Sequence, residues 1–168
     1  REMLTHQAGL EDWIPFFLHT MKKGEYLPGY YKKKFSVEYP TRVADHLYLQ
    51  KNYADTIFKE IIASEIKDEG KYKYSDLGYY LLKNIIERET QTSLEEYTRK
   101  TFYAPLGLST LTYNPREKFD LKRIVPTEYD VKFRKQLIHG DVHDQGAAML
   151  GGVGGHAGLF SDANDLAV

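Results

Sequence analysis

The stretch Lys71-Tyr72-Lys73-Tyr74-Ser75-Asp76-Leu77-Gly78-Tyr79-Tyr80-Leu81-Leu82 decides how the chain is read. A polar tripeptide, Tyr74-Ser75-Asp76, stands directly before an apolar run in which Leu77, Leu81, Leu82, Ile85 and Ile86 recur at helical spacing. One face of a helix is therefore expected to point into a core. Ser75 or Asp76 suits the N-cap, because a short side-chain oxygen accepts a backbone N–H that the first turn leaves unpaired. Aligned peptide dipoles put partial positive charge at that end, favouring a phenolate or carboxylate over its protonated form. Tyr74 is thus a candidate proton acceptor. Taken alone, such a tripeptide reads first as a cap beside a half-buried aromatic.

Working outward, Asn52 to Ile66 carries Tyr53, Ile57, Phe58, Ile61 and Ile62 at helical spacing, and Asp68 to Gly70 closes that element. Downstream, the helix after the tripeptide runs to about Glu89. Ser93 and Glu96 have capping-box spacing for the next helix, which stops before Pro105. Arg1 to Leu10 reads as a helix end and a turn at Gly9, and a short helix is expected to begin near Pro15. Lys22 to Pro40 is loop-like and locally basic. Leu111 to Asp141 reads as short strands or irregular segments, Val142 to Leu150 as a short helix, and Ser161 or Asp162 as the cap of a last one. The expected class is mainly α with short strands.

The 168 residues are 42% hydrophobic and 28% charged, enough for one globular core. A formal net charge of −1 gives no global field to recruit nucleic acid or a membrane surface. No apolar run is long enough to span a bilayer. The absence of cysteine excludes a disulfide framework, thiolate zinc sites and a cysteine nucleophile.

Two further patterns carry possible chemistry. Ser64-Glu65-Ile66-Lys67 has the Ser-x-x-Lys spacing that sets an amine one helical turn from a hydroxyl nucleophile. It falls near a helix end, away from N-terminal backbone donors, and reads as a surface pattern. His139-Gly140-Asp141-Val142-His143-Asp144, with His156 beyond, places histidines four apart. A zinc site there requires a continuous helix, which Gly140 opposes, so the expectation is no metal. His143 and Asp144 read instead as a hydrogen-bonded pair that fixes the glycine-rich turn after them. A module in which His139, His143 and His156 converge on a metal, and a purely binding or structural module, are the competing readings.

Four blocks together carry a resemblance. Leu4-Thr5-His6-Gln7-Ala8-Gly9-Leu10 looks like the Leu-Thr-His-x-x-Gly-Leu segment of the serine beta-lactamase-like family, which spans class C beta-lactamases, penicillin-binding proteins, D-aminopeptidases and esterases. Tyr74-Ser75-Asp76 resembles its Tyr-x-Asn motif. Pro105-Leu106-Gly107-Leu108 with Thr110, Tyr113 and Pro115 resembles its Pro-Leu-Gly segment. Gly155-His156-Ala157-Gly158-Leu159-Phe160-Ser161 through Asp165-Leu166-Ala167 is similar to its Gly-Gly-Leu-x-Ser segment. The Val142-His143-Asp144 and Gly-His-Ala-Gly-Leu-Phe-Ser combination also looks like a cell-wall-recycling branch, some of whose members are fused behind a family 3 glycosidase domain.

The resemblance implies acyl transfer through a serine acyl-enzyme on an amide or ester: a beta-lactam, a cell-wall peptide or a muropeptide-like substrate. It implies no cofactor and a periplasmic or extracytoplasmic setting. Tyr74 and Asp76 would be the catalytic residues, and His143, Asp144 and His156 would line the substrate site. The family's Ser-x-x-Lys precedes its Leu-Thr-His segment and its Lys/His-x-Gly motif follows the last block. The chain starts at Arg1 and stops at Val168, early in a helical pattern. Residues 1–168 are therefore expected to be one central helical fragment, truncated at both ends, with most of the sheet elsewhere and no activity alone. Asp76 stands where the family has Asn. A carboxylate accepts but does not donate, which mildly favours an amide or ester other than a beta-lactam.

Overall fold

Tyr53, Ile57 and Ile61 fall one helical turn apart, and all three are buried in the computed structural model, which describes residues 1–168. They form the inner stripe of α1 (Tyr53–Ala63). The helix after the tripeptide is α2 (Leu77–Thr90), and it ends where Gln91 turns left-handed at φ 51°. Ser93 caps α3 (Leu94–Thr98) by accepting the Glu96 N–H, and the chain continues as a wider turn over Arg99–Tyr103 before Pro105. The short α4 (Gln145–Met149) opens on Asp144, whose carboxylate accepts the Ala147 N–H.

The apolar stripe of α2 is buried only at its start. Leu77 and Tyr80 are in the core, Leu81, Leu82 and Ile86 are half-covered, and Ile85 is exposed. The reason is local. The core reaches α2 only as far as Leu81, whereas its far end meets α3, where Glu87 accepts the Leu94 N–H.

Strands occupy more of the chain than expected, so the class is mixed α/β rather than mainly α. β1 (Met21–Lys22) and β2 (Glu25–Tyr26) form a hairpin across the start of the segment expected to be loop. Its two-residue turn, Lys23-Gly24, has both residues at positive φ, the arrangement that matches strand twist. β3 (Tyr31–Lys32), β4 (Thr41–Ala44) and β5 (Leu47–Leu49) make an antiparallel sheet of order β3-β5-β4. β6 (Pro126–Asp130) pairs with β7 (Gln136–His139) in a third sheet. Strands of two to five residues are too short to display the alternation by which a strand is recognised.

One core joins these pieces. Phe16 and Phe17 from a short 3-10 turn, Val43 and Leu49 from the β3-β5-β4 sheet, Ile138 from β7 and Met149 from α4 all belong to it. Arg134 is fully buried beside it. Its guanidinium meets Asp130 at 2.8 Å and Glu128 at 2.7 Å, and donates to the Val142 and His143 carbonyls at 2.6 and 2.7 Å. The charge is compensated on every side, and the chain just before Asp144 is tied to the β6–β7 hairpin.

Candidate functional site

The tripeptide is held by the first dozen residues. Lys67 N–H donates to Gly9 O at 2.8 Å, Gly70 N–H to Gln7 O at 2.9 Å, Lys73 N–H to His6 O at 2.8 Å and Asp76 N–H to Asp12 O at 3.0 Å. Ser75 Oγ donates to Glu11 O at 2.5 Å and accepts the Leu77 N–H at 3.2 Å. The capping oxygen is therefore that of Ser75, while Asp76 makes no side-chain cap. Gly9 makes the close approach possible. It sits at φ +69°, and a Cβ there would lie 2.6 Å from Lys67 O. Gly9→Ala is expected to destabilise the fold by about 1–2 kcal/mol from the left-handed backbone alone, with the overlap adding to that. Chemical denaturation measures it, and an unchanged midpoint would show the two segments are free to part.

Tyr74 is 57% exposed, and its hydroxyl donates to Asp76 Oδ1 at 2.9 Å. This reverses one expectation. The phenol is pushed up from its ordinary pKa, first by the hydrogen bond to Asp76, then by the charge of that carboxylate. The neighbouring lysines do not offset it: Lys73 is held by Asp12 at 2.9 Å and Lys71 by Asp68 at 2.6 Å. Within these residues Tyr74 is a protonated donor, and the partial charge of the helix start is outweighed by a full carboxylate charge in direct contact. Asp76→Asn is expected to lower the Tyr74 titration midpoint, followed by NMR of that ring; an unmoved midpoint would remove Asp76 as the cause.

Asp76 also faces a small cavity of about 100 Å³ that it shares with Asp144, Tyr80, Trp13 and Gly146. On its far wall Asp144 Oδ1 meets His156 Nε2 at 3.0 Å, and the imidazole stacks on Tyr80 with centroids 4.1 Å apart and planes 15° from parallel. Burial works to raise the Asp144 pKa, but the bonds from His156 and from the Ala147 N–H outweigh it, and the net shift is downward. The resulting stability is present above the unfolded-state carboxylate pKa and is lost as pH falls through the lower folded value. Gly146 lets this stack form, because a Cβ there would lie 1.9 Å from the Tyr80 hydroxyl.

The expected His143–Asp144 pair is replaced by Asp144–His156. His143 is 67% exposed, and its Nε2 lies 3.5 Å from Glu128. Asp144 is extended at ψ 126°, so adjacent side chains diverge and only Asp144 turns inward. The three histidines do not converge: His139 meets Ile124 O at 2.5 Å, while His143 and His156 meet Glu128 and Asp144. No group of three or more potential ligands lies together. Ser64 ends α1 and donates to Ile61 O at 2.7 Å, and Lys67 pairs with Glu65 at 2.9 Å, so Ser-x-x-Lys here is not an assembled pair. No sequence pattern singles out His6, Tyr80 or Arg134 as site residues, although His6 lies inside the Leu-Thr-His block.

A larger cavity of about 350 Å³ lies between Arg42, Arg116, Asp141, Asn114 and Gly152. Its two guanidinium groups are taken up by Asp45 and Asp141.

Comparison with known proteins gives the context for the geometry around Tyr74. A putative D-alanyl-D-alanine carboxypeptidase of Salmonella gallinarum is 37% identical over 147 residues, covering 74% of this chain. The protein of that name from Salmonella newport matches to the same extent. The chain covers only 34% of the length of these relatives. Among solved structures, the D-amino acid amidase from Ochrobactrum anthropi SV3 superposes with a TM-score of 0.55 at 19% identity, over 98% of this chain and 39% of that one. The octameric penicillin-binding protein homologue from Pyrococcus abyssi gives 0.56 at 21% identity, over 99% and 32%. At such identities these two structures speak for the fold alone. The Beta-lactamase family model matches residues 1–168, taking in the Leu-Thr-His segment, the tripeptide at the start of α2 and the glycine-rich turn beside it, and the chain belongs to that family.

Proposed function

We propose that residues 1–168 form the central part of a serine hydrolase that works through an acyl-enzyme on peptidoglycan-derived peptides, outside the cytoplasm. The observation that carries this is Tyr74. An exposed phenol stands where α2 begins, its oxygen 2.9 Å from a carboxylate, on a backbone pinned from both sides. Such a group is built to pass a proton rather than to fill a core.

In the reaction a serine oxygen attacks the substrate carbonyl, the C–N or C–O bond breaks, and the leaving group takes a proton. Water then releases the acyl group and restores the serine. Tyr74 passes the proton between nucleophile and leaving group, and a lysine ammonium beside the nucleophile offsets the charge of Asp76. Asp144 and His156 hold the opposite wall through the Tyr80 stack, and Asp76 links that wall to Tyr74 across the small cavity. The nucleophile comes from sequence outside these residues. The support is the engagement of Ser64 and Lys67 elsewhere, together with the 34% of the carboxypeptidase relative's length that this chain spans. No helix is long and apolar enough to cross a membrane.

The test is peptide mapping of the whole protein after a fluorescent penicillin or an activated-serine probe. The adduct is expected on a serine outside residues 1–168. An adduct on Ser64 overturns the proposal.

A further inference from the structure

Resting on that reading, we propose that His6 is a positioning residue for Tyr74, acting as a neutral imidazole whose Nδ1 accepts the Ser75 N–H. The bond is 3.1 Å long. The His6 carbonyl accepts the Lys73 N–H at 2.8 Å. One residue thus binds the backbone on both sides of Tyr74. Its ring also gives the Tyr74 ring a wall, with centroids 4.6 Å apart and planes 33° from parallel. The His6 ring is itself flanked by those of Tyr79, 5.4 Å away, and Tyr72, 5.9 Å away.

Three features single out this contact. His6 is held at φ 54°, in the left-handed region that non-glycine residues enter at a cost, and such strain persists only where the surroundings over-determine it. The role of Nδ1 is unambiguous, because its partner is a backbone donor; the ring proton must therefore sit on Nε2, since a doubly protonated imidazole has no acceptor. Tyr74 itself is exposed, with its hydroxyl bonded to Asp76 two residues away, so little else fixes where the ring points. A displacement of about 1 Å at such a group costs around a hundredfold in rate, which makes the aim of Tyr74 worth holding.

Two variants separate the acceptor from the wall. In His6→Phe the ring stays and the acceptor goes. In His6→Asn the amide oxygen stands near the former Nδ1, and Asn tolerates left-handed backbone. Nitrogen NMR of His6 is expected to show a bare Nδ1 and a protonated Nε2. Ser75 amide exchange is expected to stay slow in His6→Asn and to accelerate more than tenfold in His6→Phe. In the whole protein, kcat for acylation is expected to fall about ten- to a hundredfold in His6→Phe with KM little changed, and His6→Asn is expected to recover most of it. A proton on Nδ1, equal Ser75 protection in both variants, or His6→Asn as slow as His6→Phe overturns the proposal. Should His6→Phe not fold, the wild-type tautomer and His6→Asn still decide it. If Tyr74→Phe leaves acylation intact, the catalytic reading fails instead, and the NMR measurements judge the placement of His6 by themselves.

Discussion

Tyr74→Phe, made in the whole protein, is expected to slow acylation by about 10²–10⁴-fold, the range for a positioned proton-transfer group. The fold should barely notice. The ring is 57% exposed and its hydroxyl bonds only Asp76, two residues away, so the change in stability should stay within about 0.5 kcal/mol. That combination separates catalysis from structure. Phenylalanine keeps the ring against His6 and deletes the oxygen alone, so KM should hold while kcat falls. Stopped-flow acylation with a chromogenic ester measures it. A Phe variant that acylates at the wild-type rate would leave Tyr74 a surface aromatic.

The second large effect is on stability. Arg134→Met is expected to cost about 3–5 kcal/mol, the range for breaking a buried ion pair from one side. The methionine fills part of the volume but leaves Asp130, which is 3% exposed, without its guanidinium. It also frees the Val142 and His143 carbonyls. Asp130 normally sits below the usual carboxylate range. Burial opposes this, but the Phe133 N–H and the Arg134 guanidinium outweigh it. The melting temperature should fall on the order of 10 °C. Pairing the change with Asp130→Leu should restore part of the loss, because the fully buried carboxylate is then no longer stranded and only the part-exposed Glu128 loses its partner. A fall below 1 kcal/mol in the single variant, by the usual margin for surface changes, would mean that water reaches the site.

The same residues show what the sequence can and cannot disclose. Tyr53, Ile57 and Ile61 announced α1 because a buried stripe repeats at the period of the helix, and Ser93 with Glu96 announced α3 because caps are local. The tripeptide was legible as a helix start for the same reason. Its electrostatics were not. The sign of the Tyr74 shift turns on whether its hydroxyl meets Asp76 or a free lysine, and side-chain direction decides that. The partner of Asp144 was misplaced by one-dimensional nearness: His143 is adjacent in sequence, yet His156, twelve residues on, is adjacent in space. The hairpin at Lys23-Gly24 was hidden because its two-residue strands carry no pattern. Arg134 was hidden because a buried cation looks, in sequence, like any exposed one.

The proposed chemistry turns on the position of one oxygen. A structure of the whole protein with its serine acylated by a D-alanyl peptide analogue measures the separation of the Tyr74 hydroxyl from that serine oxygen. The expected value is about 2.6–3.2 Å, direct hydrogen-bond reach. A Tyr74 hydroxyl still turned to Asp76 and separated from the acylated serine by a side chain's length or more would contradict it.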